Sequence, residues 1–185
     1  MAEIIPRISP LADIAVQGRF GAGKGVPGVE LSVRHPCSIV TIIARKGKAS
    51  ALAKALGELK NCTVQWAGAD QYYAVSEQQG EEALYTELKA ILAGLASVSD
   101  QSHGRVIIRI EGSKVRNVLA KGTPVDLYAD EFPVGKSALT QMAHVGVHLT
   151  RVGEDAFELS MFRGFAESFW EWITTQAEEF GYQVR

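Results

Sequence analysis

The chain of 185 residues is 46% apolar and 22% charged with a formal charge of −2, values of an ordinary globular chain long enough to bury a sizeable core. Its Lys and Arg residues are scattered among acids, which argues against a nucleic-acid footprint. No apolar run is long enough to span a bilayer, and the stretch from Met1 to Pro10 carries Glu3 without an apolar signal core, so the expected location is the cytoplasm, away from membranes.

Residues 1–36 differ in composition from the rest. They hold Pro6, Pro10, Pro27 and Pro36, four of the six prolines, and a run of glycines from Gly18 to Gly28. With no sustained periodicity, this stretch reads as an extended Gly/Pro-rich N-terminal arm. It also carries Ile4, Ile5, Ile8, Leu11, Ile14, Val16 and Phe20, more apolar than a disordered tail. Two readings stand. The arm orders against another protein, with Ile14 and Phe20 as contact residues, or it packs on its own domain. In the first case, removing residues 1–35 weakens assembly and leaves the domain folded. Gly18-Arg19-Phe20-Gly21-Ala22-Gly23-Lys24-Gly25 imitates a phosphate-binding P-loop. It ends on Gly25 where Ser or Thr is required, and Val26-Pro27-Gly28 follows in place of a helix, so nucleotide binding is not expected.

From Cys37 the pattern is regular, and residues 37–185 read as one duplicated α+β domain. Ser38 to Ala44 is a β-branched, buried strand. Lys48 to Lys60 is a helix with Leu52, Ala55, Leu56 and Leu59 on one stripe. Thr63 to Trp66 and Tyr72 to Val75 form a hairpin. Glu81 to Ala93 is a helix with acids in its first turn and Leu84, Leu88, Ile91 and Leu92 inward. Arg105 to Glu111 is the next strand, and Ser113 is positioned to cap a short helix bearing Val115, Val118 and Leu119. Ala143 to Val152 and Ala156 to Met161 make a second hairpin, and Ala166 to Phe180 the last helix. In that helix Phe165, Phe169, Trp172 or Ile173, and Phe180 define the core stripe. Trp170 lies off its centre, filling core on one reading and marking a partner interface on the other.

The two hairpins repeat one phrase. Ala67-Gly68-Ala69-Asp70-Gln71-Tyr72 returns as Val152-Gly153-Glu154-Asp155-Ala156-Phe157. Cys62 and Val64 correspond to Val147 and Leu149 before the turn, and Leu84, Tyr85 and Leu88 to Phe169, Trp170 and Ile173 after it. A shared offset through turn, strand and helix predicts two βαββα halves, about 37–95 and 96–185, with antiparallel sheets and helices on one face.

Catalytic signatures are sparse. Cys37 and Cys62 read as buried small side chains without a metal-binding set around them. His144 and His148 fall on one face of the predicted strand, ~13 Å apart, too far to share a metal, and read as surface or edge histidines. No nucleophile elbow, His-Glu-x-x-His pair or Cys-x-x-Cys cluster occurs.

Asp100-Gln101-Ser102-His103-Gly104-Arg105, the strand after it, and Gly112 with the helix ending Leu119-Ala120-Lys121-Gly122 resemble the opening of the aminomethyltransferase (glycine-cleavage T-protein) folate-binding superfamily. More closely, Arg19-Phe20-Gly21, the run Leu119 to Leu127, the run His148 to Leu159, and Arg163-Gly164-Phe165-Ala166 before Trp170-Glu171-Trp172 resemble the gamma subunits of heterotetrameric sarcosine oxidases. That resemblance implies a subunit of a complex that oxidises sarcosine to glycine and passes the one-carbon unit to tetrahydrofolate. It implies alpha, beta and delta subunits as partners, chiefly the folate-handling alpha subunit. FAD, FMN, NAD, tetrahydrofolate and zinc would sit on those partners and none on this chain. In the T-protein pattern an acidic pair precedes the Gly-Glu-Asp turn. Its places are held here by Val145 and Gly146, and an expected Asn falls at Phe162. None of these can exchange a proton, so no catalytic residue is expected. Asp100, Ser102 and His103 survive as a relic folate motif or as backbone caps at a turn. The alternative function is a folate-binding, aminomethyltransferase-like protein acting on its own.

Overall fold

The computed structural model describes residues 7–22, 25–80 and 82–185; residues 1–6, Gly23 and Lys24 of the P-loop-like run, and the expected helix start at Glu81 lie outside them. The elements are β1 (Gly18–Phe20), β2 (Val29–Val33), β3 (Ser38–Ala44), α1 (Ala49–Gly57), β4 (Thr63–Gly68), β5 (Gln71–Ser76), α2 (Ala83–Ile91) and β6 (Ala96–Asp100). They continue with β7 (Arg105–Glu111), α3 (Val115–Leu119), β8 (Ser137–Met142), β9 (Val145–Gly153), β10 (Ala156–Phe162), α4 (Ala166–Ala177) and β11 (Tyr182–Val184). A single 3-10 turn precedes α4 and another follows it.

The duplication is visible in the sheets. One has the order β4-β5-β3-β6 and the other β1-β11-β2-β7-β10-β9-β8. The triplet β4-β5-β3 therefore matches β9-β10-β7, and both sequences run strand, helix, hairpin, helix. Apolar residues alternate with period two, so each sheet has two distinct faces. Val40, Ile42 and Ala74 pack under α1 and α2. Val106, Ile108, Phe157, Leu159 and Met161 pack under α3 and α4. The opposite faces meet each other, with Ile39, Tyr73 and Val75 of the smaller sheet against Ile107 of the larger. The result is an α+β stack of helices, sheet, sheet and helices.

The N-terminal segment does not form a separate arm over its whole length. Strand β2 lies inside the larger sheet, antiparallel to β7 and parallel to β11, and Leu11, Val29 and Leu31 are fully buried. Val29, Leu31 and Val33 alternate with polar residues as a strand should. The signal is five residues long and flanked by glycine and proline, which hides it. Strand β1 pairs with β11, and after Gly25 the chain enters β2 with no helix to receive a phosphate. Removing residues 1–35 would take out a central strand as well as an arm.

Other departures have local causes. Strand β8 reaches β9 through a two-residue turn, with Ala143 at φ 51° and His144 at φ 65°. Such turns favour Asn and Gly, so neither residue signalled it, and His144 sits in the turn instead of the strand. Strand β6 is small and polar, and β11 has only three residues. Ser113 makes no cap at α3; the Lys114 N–H there donates to the Gly28 carbonyl at 3.0 Å. At this crossing Gly112 has φ +124° and its Cα lies so close that a Cβ would stand 2.6 Å from the Gly28 carbonyl oxygen, so only glycine fits. Glu82 precedes the first turn of α2, and Ile91 and Phe165 are exposed where burial was expected.

Leu31→Ala will lower stability by ~2–5 kcal/mol in chemical denaturation, the cost of a cavity in a close-packed core. A change within error would mean that β2 is peripheral.

Candidate assembly surface and the folate-like motif

The residues singled out for contact come together. A turn anchored by buried Leu11 (Ala15 N–H to the Leu11 carbonyl, 2.8 Å) carries the chain from Ser9 past Ile14 and Val16 toward β1. Phe20 stacks on Tyr182 with ring centroids 5.3 Å apart. Together with α4 these residues wall a groove of about 1200 Å³, with Trp170 along it and Arg163, Glu167 and Glu171 at its polar side. Ile14, Val16 and Phe20 are 41%, 60% and 41% exposed, whereas Trp170 is 5% exposed and belongs to the core under the sheet. Trp170 therefore fills the core, and only its margin reaches the groove.

The folate-like motif is occupied by backbone. Asp100 accepts the Ser102 N–H at 2.9 Å and the Ser102 hydroxyl at 2.6 Å. The Ser102 oxygen accepts the buried Ile39 N–H at 3.0 Å. Asp100 thus braces the β6–β7 turn through Ser102, and Ser102 pins that turn to the start of β3. His103 follows in that same turn. At the positions where the T-protein pattern has acids, Val145 is buried opposite Met142 and Gly146 opposite Gln141 in the β8–β9 hairpin. Phe162 is 57% exposed, and its ring covers the Arg105 guanidinium at 4.7 Å.

Between the sheets lies a polar seam that sequence reasoning missed. Glu158, buried in β10, accepts from Arg34 Nη1 at 2.7 Å and from Gln65 Nε2 at 3.0 Å. Arg34 Nε also donates to Glu77 at 2.7 Å, and the Arg34 guanidinium holds the Glu77 carboxyl below its usual range. A cleft of about 520 Å³ opens beside them. Glu158 and Ser160 alternate with Phe157, Leu159 and Met161, a pattern normally read as a solvent face. Here that face meets a second sheet.

His148 is in this seam and not at the surface. It is 1% exposed, its ring is edge-on to Tyr73 at 5.0 Å, and its Nε2–H donates to the Trp66 carbonyl at 2.7 Å. Burial pushes its pKa down, the Trp66 carbonyl opposes, and nearby Arg105 adds to the lowering. Burial likewise raises the Cys37 thiol to about 11, and it raises the Cys62 thiol as well, so neither is an activated nucleophile. Among the described residues no cluster of His, Cys, Asp and Glu could hold a metal ion. Nor, among them, is any helix long and apolar enough to cross a membrane.

Comparison with known proteins gives a consistent picture. Residues 36–179 match the model of the SoxG family, described as "Sarcosine oxidase, gamma subunit family". The chain is 29% identical over 175 residues to sarcosine oxidase subunit gamma of Corynebacterium sp. (strain U-96), covering 94% of this chain and 82% of that one. It is 30% identical over 125 residues to the protein of the same name from Corynebacterium sp. (strain P-1), covering 67% of this chain and 61% of that one. Among solved structures it resembles a chain of heterotetrameric sarcosine oxidase from Corynebacterium sp. U-96 in complex with pyrrole 2-carboxylate. The TM-score is 0.79 at 26% identity, over 94% of this chain and 96% of that one. The glycine cleavage system aminomethyltransferase T from Bartonella henselae shares the fold, with a TM-score of 0.64 at 16% identity over 92% of this chain and 60% of that one.

Two outcomes follow from this geometry. Ser102→Ala strands the buried Ile39 N–H and will cost about 1–3 kcal/mol in urea denaturation, while calorimetry with tetrahydrofolate will give the same trace as wild type. For His148 the folded pKa lies below the ordinary 6.5, so below that pH the unfolded chain takes up a proton that the folded chain refuses. Stability therefore falls as pH drops from about 6.5 toward the folded value, by at most about 1.4 kcal/mol per unit. His148→Gln will flatten that slope in thermal melts between pH 7.5 and 5.5; an equal slope would place the titrating group elsewhere.

Proposed function

Because the chain belongs to the sarcosine oxidase gamma subunit family, we propose that it is a noncatalytic subunit of a cytoplasmic heterotetramer that oxidises sarcosine to glycine and delivers the one-carbon unit to tetrahydrofolate. Its partners in this reading are the alpha, beta and delta subunits, mainly the folate-handling alpha subunit. Those partners hold FAD, FMN, NAD, tetrahydrofolate and zinc, and this chain holds none of them. The single observation that carries the noncatalytic reading is the chemistry at the T-protein positions. A buried Val145 and an exposed Phe162 offer neither a base for proton transfer nor a charge for a developing cation.

The contact surface in this reading is the groove along α4. Ile14, Val16 and Phe20 present apolar side chains to solvent, next to the charged Arg163, Glu167 and Glu171. An apolar strip with a polar rim is the usual anatomy of a subunit contact. Asp100, Ser102 and His103 serve the fold, as the bonds of Asp100 and Ser102 to the backbone support.

The test is co-expression of the four chains with Ile14→Glu and Val16→Glu introduced together here. Both side chains are exposed, so the variant chain will melt as wild type. On purification through a tag on a partner chain, the flavin-coloured complex will retain less than a tenth of the normal share of this subunit, a loss of more than ~1.4 kcal/mol in binding. Full retention would move the contact away from the groove. A colourless wild-type chain that binds no partner would overturn the subunit role itself.

A further inference from the structure

The cleft beside Glu158 has a floor that the strand register builds. Ser32 of β2 lies opposite Arg109 of β7, Arg109 opposite Glu158 of β10, Glu158 opposite Thr150 of β9, and Thr150 opposite Ser137 of β8. One polar row therefore crosses five neighbouring strands of the larger sheet, with adjacent Cβ atoms ~5 Å apart. Thr63 and Gln65 of β4, and Glu77 just beyond β5, line the cleft from the smaller sheet. Its volume of about 520 Å³ is in the range that takes a small molecule.

The charges in this cleft alternate. Arg109 neighbours Glu158 in register, Glu158 accepts from Arg34 at 2.7 Å, and Arg34 donates on to Glu77 at 2.7 Å. The middle of that series is buried, with 17% of the Arg34 side chain and 5% of the Glu158 side chain exposed. Its ends are open, Arg109 at 40% and Glu77 at 50%. The inner pair compensate each other, as buried charges must, and the outer pair present opposite signs to solvent from one cleft. The hydrogen bond from Arg34 holds the Glu77 carboxyl below its usual range, and the charge of Arg109 adds to that lowering. The two ends are thus within electrostatic reach of each other.

This arrangement selects a ligand class. Two arginines face two glutamates, while Arg151 at the same cleft is spent on the carbonyls of Phe132, Gly153 and Glu154. A phosphate or another anion would meet the charge of Glu77 and Glu158. A polyamine or a metal cation would meet Arg34 and Arg109. A molecule that carries both charges and no net charge satisfies both ends, through charge-assisted hydrogen bonds of the stronger kind. An α-amino acid holds its carboxylate and its ammonium on a single carbon.

We propose that the cleft between the sheets binds a small α-amino acid as its zwitterion, with the carboxylate on Arg109 and the ammonium on Glu77. None of the described residues lining the groove along α4 lines this cleft, so the site is independent of the subunit contact.

The experiment is calorimetry on the full chain with glycine, the smallest molecule of this class, as probe. Glycine will give a saturable heat, one molecule per chain, with a Kd of ~1 mM or tighter. Acetate and methylammonium, which carry one charge each, will give none at the same concentrations. Glu77→Gln and, separately, Arg109→Gln will weaken glycine binding about tenfold or more. Both side chains are open to solvent, and in Glu77→Gln the amide oxygen still accepts from Arg34, so both variants will melt as wild type. Arg109 gives Nε and Nη2 to one oxygen of Glu111, so Glu111→Gln frees that guanidinium and will tighten binding about two- to fivefold. A glycine titration without saturation overturns the proposal. So does acetate binding as tightly as glycine, or an unchanged affinity in Glu77→Gln and Arg109→Gln.

Discussion

A carboxylate buried between two sheets governs this fold. Glu158 projects from the middle of β10 away from the helices, into a layer where apolar side chains would be the default. Its charge is tolerable there only because Arg34 and Gln65 both donate to it. Arg34 stands just beyond the end of β2, and Gln65 lies on β4 in the other sheet. One residue thus links the segment after β2 and strand β4 across the space between the sheets. Removing one member of such a cluster leaves a buried group without its partner, at a cost of about 3–5 kcal/mol. The rest of the seam follows the same logic: His148 donates to the Trp66 carbonyl, and Tyr73 lies between His148 and Arg105.

The two halves share strand order and hairpins, and the whole shares its fold with an aminomethyltransferase. Val145 pairs within its hairpin and Phe162 covers an arginine. The surviving motif, Asp100 and Ser102, spends its oxygens on Ile39 N–H and on its own turn. These are the commitments of a structural corner.

The duplication is broken where the larger sheet has extra strands. Behind β7 the N-terminal β2 is inserted, then β11, then β1, whereas the smaller sheet ends at β6. The additional edge carries the groove with Ile14, Phe20 and the margin of Trp170. The asymmetry therefore places this groove beside the larger sheet, in a chain whose two halves otherwise share their strand order.

The sequence by itself determined the local elements with strong signals. The β-branched run of β3, the strand of β7, both Gly-Asp turns and the stripes of α1, α2 and α4 were legible because period and turn chemistry are local properties. So were the repeat and the family, carried by long runs such as His148 to Leu159. Tertiary structure decided the remainder. Strand β2 was hidden because five alternating residues gain their stability from neighbours on both sides, not from propensity. Strand β8 was hidden because Ala143 and His144 adopt a turn that they do not favour. The seam of Glu158, Arg34 and Gln65, and the burial of His148, were invisible for a different reason. Alternation reveals that a strand has two faces, but only the packing of a second sheet decides whether the polar face meets water or protein.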